Sequence, residues 1–156
     1  MKIEIREIKE FNIIAPLVEE VQNLHANIFP SVYKPFEYQG IKKEMEAMLS
    51  NELCKVFLAK TGHEPIGYVM ILIKEIPENA FHYSMRLIHI DQIAVAEAYK
   101  RVGVGSMLMN KVEEFSKEMK VNRIELDHLN NNSIAKTFFH SKGFLPYRSK
   151  LIKQLI

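Results

Sequence analysis

From Lys2 to Ile8 apolar and charged residues alternate, with Ile3 and Ile5 on one face, which predicts a half-buried strand. At Phe11 the repeat lengthens. Ile14, Leu17, Val18, Val21, Leu24 and Ile28 fall on one helical stripe and predict a helix over Phe11–Ile28. Pro30 and Pro35 then interrupt an aromatic-rich stretch, Phe29–Tyr38, and exclude a continuous helix there. Helical spacing returns with Ile41, Met45, Met48 and Leu49. Lys55–Lys60 and Ile66–Ile73 flank the turn Thr61-Gly62-His63-Glu64-Pro65 and predict an antiparallel hairpin. A polar loop, Glu75–Asn79, leads into an extended run from Phe81 to Val95. The helix after Gly105 buries Leu108, Val112, Phe115 and Met119, and Lys117 and Lys120 suit its negative pole. Arg123–Leu129 predicts a further strand, Asn132–Lys142 a short helix stopped by Gly143, and Phe144–Gln154 a last extended stretch. No repeat or linker divides this order, so residues 1–156 are expected to form one mixed α/β (α+β) domain.

Composition narrows the partners. Twenty-one basic residues against nineteen acidic ones leave a formal charge of +2, without the basic footprint that nucleic-acid binding needs. The single cysteine, Cys54, rules out an internal disulfide and fits a reducing compartment. Met1–Glu10 contains no apolar signal region, and no stretch approaches the roughly 18 apolar residues of a membrane span. A soluble, cytoplasmic protein with no membrane or nucleic-acid partner is expected. The six histidines show no H-E-x-x-H or Cys/His spacing, so no metal is expected. The eight methionines read as packing filler.

The most informative segment is Ile90-Asp91-Gln92-Ile93-Ala94-Val95, followed by Lys100-Arg101-Val102-Gly103-Val104-Gly105-Ser106. A strand runs into a glycine-punctuated turn, and a helix begins at once. Helix starts expose unpaired amides at the positive end of a dipole, and glycine lets backbone approach a phosphate closely. Lys100 and Arg101 add charge beside the turn. The segment does not match G-x-x-x-x-G-K-[ST], and the third glycine of a dinucleotide fingerprint would fall at Leu108. A second element lies downstream: Asn132, Ala135, Phe138, Phe139, Gly143 and Phe144.

Together the two elements resemble the GNAT superfamily of N-acetyltransferases. Its cofactor motif, Arg/Gln-x-x-Gly-x-Gly/Ala, is matched by Lys100, Gly103 and Gly105; its later motif, Asn-x-x-Ala-x-x-Phe-Tyr-x-x-x-Gly-Phe, by Asn132, Ala135, Phe138, Gly143 and Phe144. The resemblance implies a central, mostly antiparallel sheet of about six to seven strands flanked by about four helices, its fourth and fifth strands splayed into a V. It implies acetyl-CoA as co-substrate and an amine acceptor, and it is compatible with a homodimer. The pantetheine arm would lie along Ile93, Ala94 and Val95, and the pyrophosphate on the amides of Arg101, Val102, Gly103, Val104, Gly105 and Ser106. Asn132 would contact the cofactor or cap the last helix. Phe138 and Phe139 would border the cofactor or the core.

Two departures stand out. Lys100 replaces Arg or Gln, keeping the charge without the bidentate fork. Phe139 stands where many members carry a Tyr thought to protonate the departing thiolate, so that role does not transfer; His140, Tyr147 or water remain as proton sources. By the same resemblance Asp91 is the candidate base, directly or through water, and the Ile93 amide the candidate oxyanion donor. His89 alternates onto the face of Asp91 unless a bulge intervenes. Glu125 and Asp127 share a face of the next strand, and His128 aligns with Ile124 and Leu126. For the acceptor, Phe29–Tyr38 and Glu75–His82 are the candidate loops. Glu37 is available to pair with a cationic amine, and Tyr33, Phe36 and Tyr38 either wall a pocket or plug the core. A non-catalytic acyl-CoA binding module is the alternative from another class.

Overall fold

A computed structural model describes residues 1–156. In chain order the elements are β1 (Glu4–Ile8), α1 (Phe11–Ile28), α2 (Tyr38–Leu49), β2 (Cys54–Thr61), β3 (Glu64–Ile76), β4 (Met85–Val95), α3 (Val104–Glu118), β5 (Ile124–Leu126) and α4 (Ser133–Ser141). A 3₁₀ turn, Glu97–Tyr99, joins β4 to α3. The sheet order is β1-β2-β3-β4-β5, with the first three ladders antiparallel and β4–β5 parallel.

Two apolar cores lie on opposite faces of this sheet. α1 and α2 cover one face, where Phe11, Ile14, Leu17, Val18, Met45 and Leu49 meet Val56, Leu58, Tyr68 and Met70. α3 covers the other, bringing Val104, Leu108, Met109 and Val112 against Phe57, Ile66, Val69 and Ile71. The period of two along β3 thus sends Tyr68 and Met70 to one core and Val69 and Ile71 to the other. A strand buried on both faces reads as an unbroken apolar run, which is why this one shows little polar alternation. Gly67 lets α3 settle closely: a Cβ there would meet the Ala94 carbonyl oxygen at 2.9 Å and Val104 at 3.1 Å.

α1 occupies the predicted span and contains Pro16, whose ring nitrogen has no proton to offer the carbonyl one turn back. α2 starts earlier than its apolar stripe, at Tyr38, because Glu37 caps it. Its two carboxylate oxygens accept from the Gln39 amide (2.9 Å) and the Gly40 amide (2.7 Å).

The sheet departs from the expected six to seven strands: it has five. Arg123–Leu129 contracts to Ile124–Leu126, because Asp127 and His128 turn out into solvent. Phe144–Gln154 forms no strand at all, having no partner within the chain. The loop placed at Glu75–Asn79 begins later, since β3 continues to Ile76 and Glu75 pairs with Arg86 on β4 at 3.2 Å. Residues 81–84, read as the start of the extended run, belong instead to that loop. The Asn79 side chain folds it by accepting from the amides of Phe81 (2.7 Å) and His82 (3.1 Å).

Candidate active site

β4 carries the centre of the site because its two edges are treated differently along its length. On one edge it pairs with β3 as far as Val95. On the other it pairs with β5 only through Ile88, His89 and Ile90, opposite Ile124, Glu125 and Leu126. From Asp91 to Val95 that second edge has no neighbouring strand, and the sheet opens. The Ala96 amide donates to the Ile66 carbonyl at 2.9 Å on the β3 side. Antiparallel alternation turns the Ala94 amide the same way and those of Ile93 and Val95 the opposite way, into the opening.

The opening begins at a β-bulge. Met70 pairs with Gln92 and Ile71 with Ile90, leaving Asp91 without a partner on β3. The extra residue shifts the facing of everything after it. Ile88 and Ile90 face the α3 core, and so do Ile93 and Val95, while Ala94 faces the α1 core. Gln92 also faces α1, where its Oε1 accepts from the Tyr68 hydroxyl at 2.6 Å. Asp91 is exposed on that side, and its charge is felt by Tyr68 and Cys54. Burial, with Asp91 adding, holds both hydroxyl and thiol above their ordinary values, so each stays protonated at neutral pH. Lys55 opposes the shift on Cys54. His89 shares the α1 face with Asp91, beside Glu125 across the β4–β5 ladder. Glu125 itself is engaged by Arg123 at 2.7 Å.

Past Val95 the chain makes its 3₁₀ turn and enters the glycine-punctuated stretch. Arg101 (φ 63°) and Gly103 (φ 94°) both sit in the left-handed region, curving the intervening amides toward one side. Gly103 is the N-cap of α3 and has no side chain to cap with; the first intrahelical bond runs from the Met107 amide to its carbonyl, 3.0 Å. The amides of Arg101, Val102, Gly103, Val104, Gly105 and Ser106 therefore donate to nothing in the chain. Such a row at a helix start suits an anion. A Cβ at Gly103 would meet open space, so its glycine answers to backbone conformation. Gly105 answers to packing: a Cβ there would come within 3.1 Å of the Phe138 ring. Lys100 is paired with Glu97 at 2.5 Å, which leaves Arg101 as the cation without an ion-pair partner at this turn.

Asn132 caps α4, accepting from the Ala135 amide at 3.1 Å. Phe138 packs on the α3 core, linking α4 to the helix start at Gly105. Phe139 is 7% exposed, enclosed by the rings of Phe138, Phe144 and His128. His128, exposed at the end of β5, stacks on Phe139 with centroids 6.4 Å apart. The Arg123 guanidinium lies instead over the Tyr147 ring, 4.4 Å from the ring centroid, which holds Tyr147 before β5 begins and away from the opening. His140 is exposed in the last turn of α4.

The acceptor candidates are rearranged by these contacts. Both oxygens of Glu37 are used in the α2 cap. Phe36 packs on the α1 core and its amide donates to Asn23 Oδ1 at 2.9 Å, while Tyr38 meets Phe11 and Phe36. Phe36 thus serves as a plug over the core, while Val32 and Tyr38 stay exposed. The loop at residues 77–84 lies beyond Met85, so about 20 Å of strand separates it from Asp91. Sequence reasoning missed the Tyr68–Gln92 pair and raised a bulge only as a condition on the facing of His89, without placing it at Asp91. Their signal was present: the apolar positions slip from even (Ile88, Ile90) to odd (Ile93, Val95) across Asp91-Gln92.

The fold is shared with solved structures. The tetramutant of the BH1408 protein from Bacillus halodurans superposes with a TM-score of 0.90 at 21% identity, covering 99% of this chain and 100% of that one. AAC(6')-Iy in complex with the bisubstrate analog CoA-S-monomethyl-acetylneamine gives 0.71 at 16% identity, over 100% and 99% of the two chains. Ribosomal-protein-alanine N-acetyltransferase from Brucella melitensis biovar Abortus 2308 gives 0.70 at 13% identity, over 99% of each. At these identities the likeness speaks for the fold. The sequence profile of the Acetyltransferase (GNAT) family, however, matches residues 18–144, a span that includes the bulged strand, the glycine turn and α4. The chain belongs to the GNAT acetyltransferase family.

Proposed function

We propose that the protein transfers an acetyl group from acetyl-CoA to a primary amine, by direct attack within a ternary complex. The observation that carries this reading is the row of six unpaired amides from Arg101 to Ser106, beside a strand edge left open from Asp91 to Val95. A diphosphate satisfies the first, and an extended amide-bearing arm satisfies the outward amides of Ile93 and Val95. Arg101 supplies a further positive charge. The Gly103 position, open around its missing Cβ, lets the anion come close to the backbone.

Acetyl-CoA supplies an acyl group already activated as a thioester. The remaining tasks are positioning, charge stabilisation and proton removal. Ile93 donates its amide to the carbonyl oxygen as charge grows there. Asp91, turned out by the bulge onto the α1 face, takes the proton of the incoming amine, whose ammonium form dominates at neutral pH because its pKa is about 10.4. Buried Phe139 offers no proton and Tyr147 is held at the other end of β5, which leaves solvent or the exposed His140 of α4 to reprotonate the thiolate. Two of the related structures have names that specify amines as acceptors, a neamine derivative in one and a protein alanine in the other. They support an amine for this chain without choosing between a small molecule and a protein.

Free-CoA release with a panel of amines (an aminoglycoside, a polyamine, an alanine-starting peptide) tests the reading. Turnover above background with any of them is expected. Tight acetyl-CoA binding without turnover favours a binding module, for which buried Phe139 is the supporting observation. Absence of binding removes both readings.

A further inference from the structure

Gln92 follows the bulge residue Asp91, and the register that pairs it with Met70 puts its side chain on the α1 face. There it meets Tyr68 across the diagonal of the ladder, since the Cα partner of Tyr68 is Ala94. Tyr68 is fully buried, and its hydroxyl has one hydrogen-bond partner, Gln92 Oε1 at 2.6 Å. That bond fixes which way the Gln92 amide points. Were the amide turned over, its N–H would donate to the phenolic oxygen, and the buried O–H would have nothing to donate to.

With Oε1 committed to Tyr68, Nε2 stands at the other end of the amide with two N–H donors, and no group of the chain accepts from them. No buried side-chain nitrogen or oxygen in the protein lacks a partner, so the unpartnered Nε2 of half-buried Gln92 reaches solvent. Asp91, the residue before it, is exposed on the same face. A carboxylate that accepts and an amide end that only donates thus stand side by side at the start of the opening. A plain alkylamine engages the first alone. Engaging both takes an acceptor with an oxygen near its amino group.

We propose that Gln92 is a specificity-determining residue whose Nε2 donates to an oxygen neighbouring the acceptor's amino group. Amines bearing such an oxygen, as hydroxyl or carbonyl, are therefore preferred over plain alkylamines. The inference rests on the acetyltransferase reading, which brings the amine to Asp91. Tyr68 does not touch the acceptor; it is a positioning residue that keeps the Gln92 amide from rotating. A donor built for an oxygen discriminates because an analogue without it leaves the N–H unpaired.

Two matched pairs of primary amines, assayed by free-CoA release, supply the test: alaninamide against sec-butylamine for a carbonyl, and ethanolamine against propylamine for a hydroxyl. Comparing the kcat/KM ratio of a pair between two proteins cancels the amines' own reactivity. Gln92→Met keeps the length and offers Tyr68 a weak sulfur acceptor, but has no N–H. In it the ratio for at least one pair should fall about 10-fold, and the pair that falls identifies the oxygen. Tyr68→Phe should lower the same ratio about threefold, because the amide is then free to turn. A Gln92 that only supports the fold would move both members of a pair alike. The unaltered ¹⁵N-labelled chain, saturated with CoA, gives a readout that needs neither turnover nor a folded variant. Its Gln92 side-chain amide resonances should shift with the oxygen-bearing amine and not with its matched partner. Ratios unchanged in Gln92→Met for both pairs, or resonances indifferent to the oxygen, overturn the proposal. Absence of turnover with all of these amines removes the acetyltransferase reading instead, and the resonances then decide on Gln92 alone.

Discussion

Gly103, Gly105 and Asp91 each make a different demand on a substitution. At Gly103 the positive φ makes any side chain costly by about 1–3 kcal/mol, yet space is open, so Gly103→Ala should fold and bind acetyl-CoA more weakly. Gly103→Asp adds a negative charge where the diphosphate is expected, and calorimetric titration should show affinity lower by at least about 100-fold, close to 3 kcal/mol. Gly105→Ala acts on stability first, because its Cβ presses on the Phe138 ring at 3.1 Å; about 1 kcal/mol should be lost in urea unfolding. Asp91→Asn should lower kcat by about 100-fold or more while acetyl-CoA affinity stays within a few-fold. A kcat and pH–rate profile unchanged in that variant remove Asp91 from the mechanism. Asp91 was singled out only through the family resemblance; the glycine turn was readable in the sequence, because glycine spacing before a helix has few uses. The roles of the two glycines were not. Only the neighbouring ring shows that Gly105 answers to α4.

Among the elements, α1 was legible to its ends because a long stripe of apolar residues fixes a helix by itself. β5 was not. Strand length depends on which neighbour is present, and Asp127 and His128 have none. The Glu37 cap was hidden for a related reason: a carboxylate beside aromatics reads equally as an amine partner. Glu37→Ala should destabilise the protein by about 1 kcal/mol through the lost cap, with little effect on KM for an amine. A large KM change with unaltered stability would reverse that assignment. Tyr68 ties β3 to the bulge through Gln92, and burial raises its hydroxyl pKa above the unfolded value. A raised value means the stabilisation is complete below about pH 10 and is lost as pH climbs beyond it. Tyr68→Phe should therefore be less stable by about 1 kcal/mol at pH 8, with the gap to the unaltered protein narrowing above pH 10. Denaturant midpoints at both pH values measure this.

For the whole molecule, the order of elements and two spaced motifs were enough to anticipate the family, which the match over residues 18–144 bears out. The number of strands was not anticipated, since a segment such as 144–156 becomes a strand only when some edge receives it. The opening beside β4 has the same origin. It is produced by a three-residue partner strand and one inserted residue at Asp91, features of pairing more than of any single segment. No helix is long and apolar enough to cross a membrane. The claim on which the functional account rests is that the amides opening α3 receive the diphosphate of acetyl-CoA. An amide-resolved NMR titration of ¹⁵N-labelled protein with acetyl-CoA tests it most directly. The largest saturable shifts should fall on Arg101 to Ser106, followed by Ile93 and Val95. Saturation with those amides unmoved, and the response centred on another face of the sheet, would contradict it.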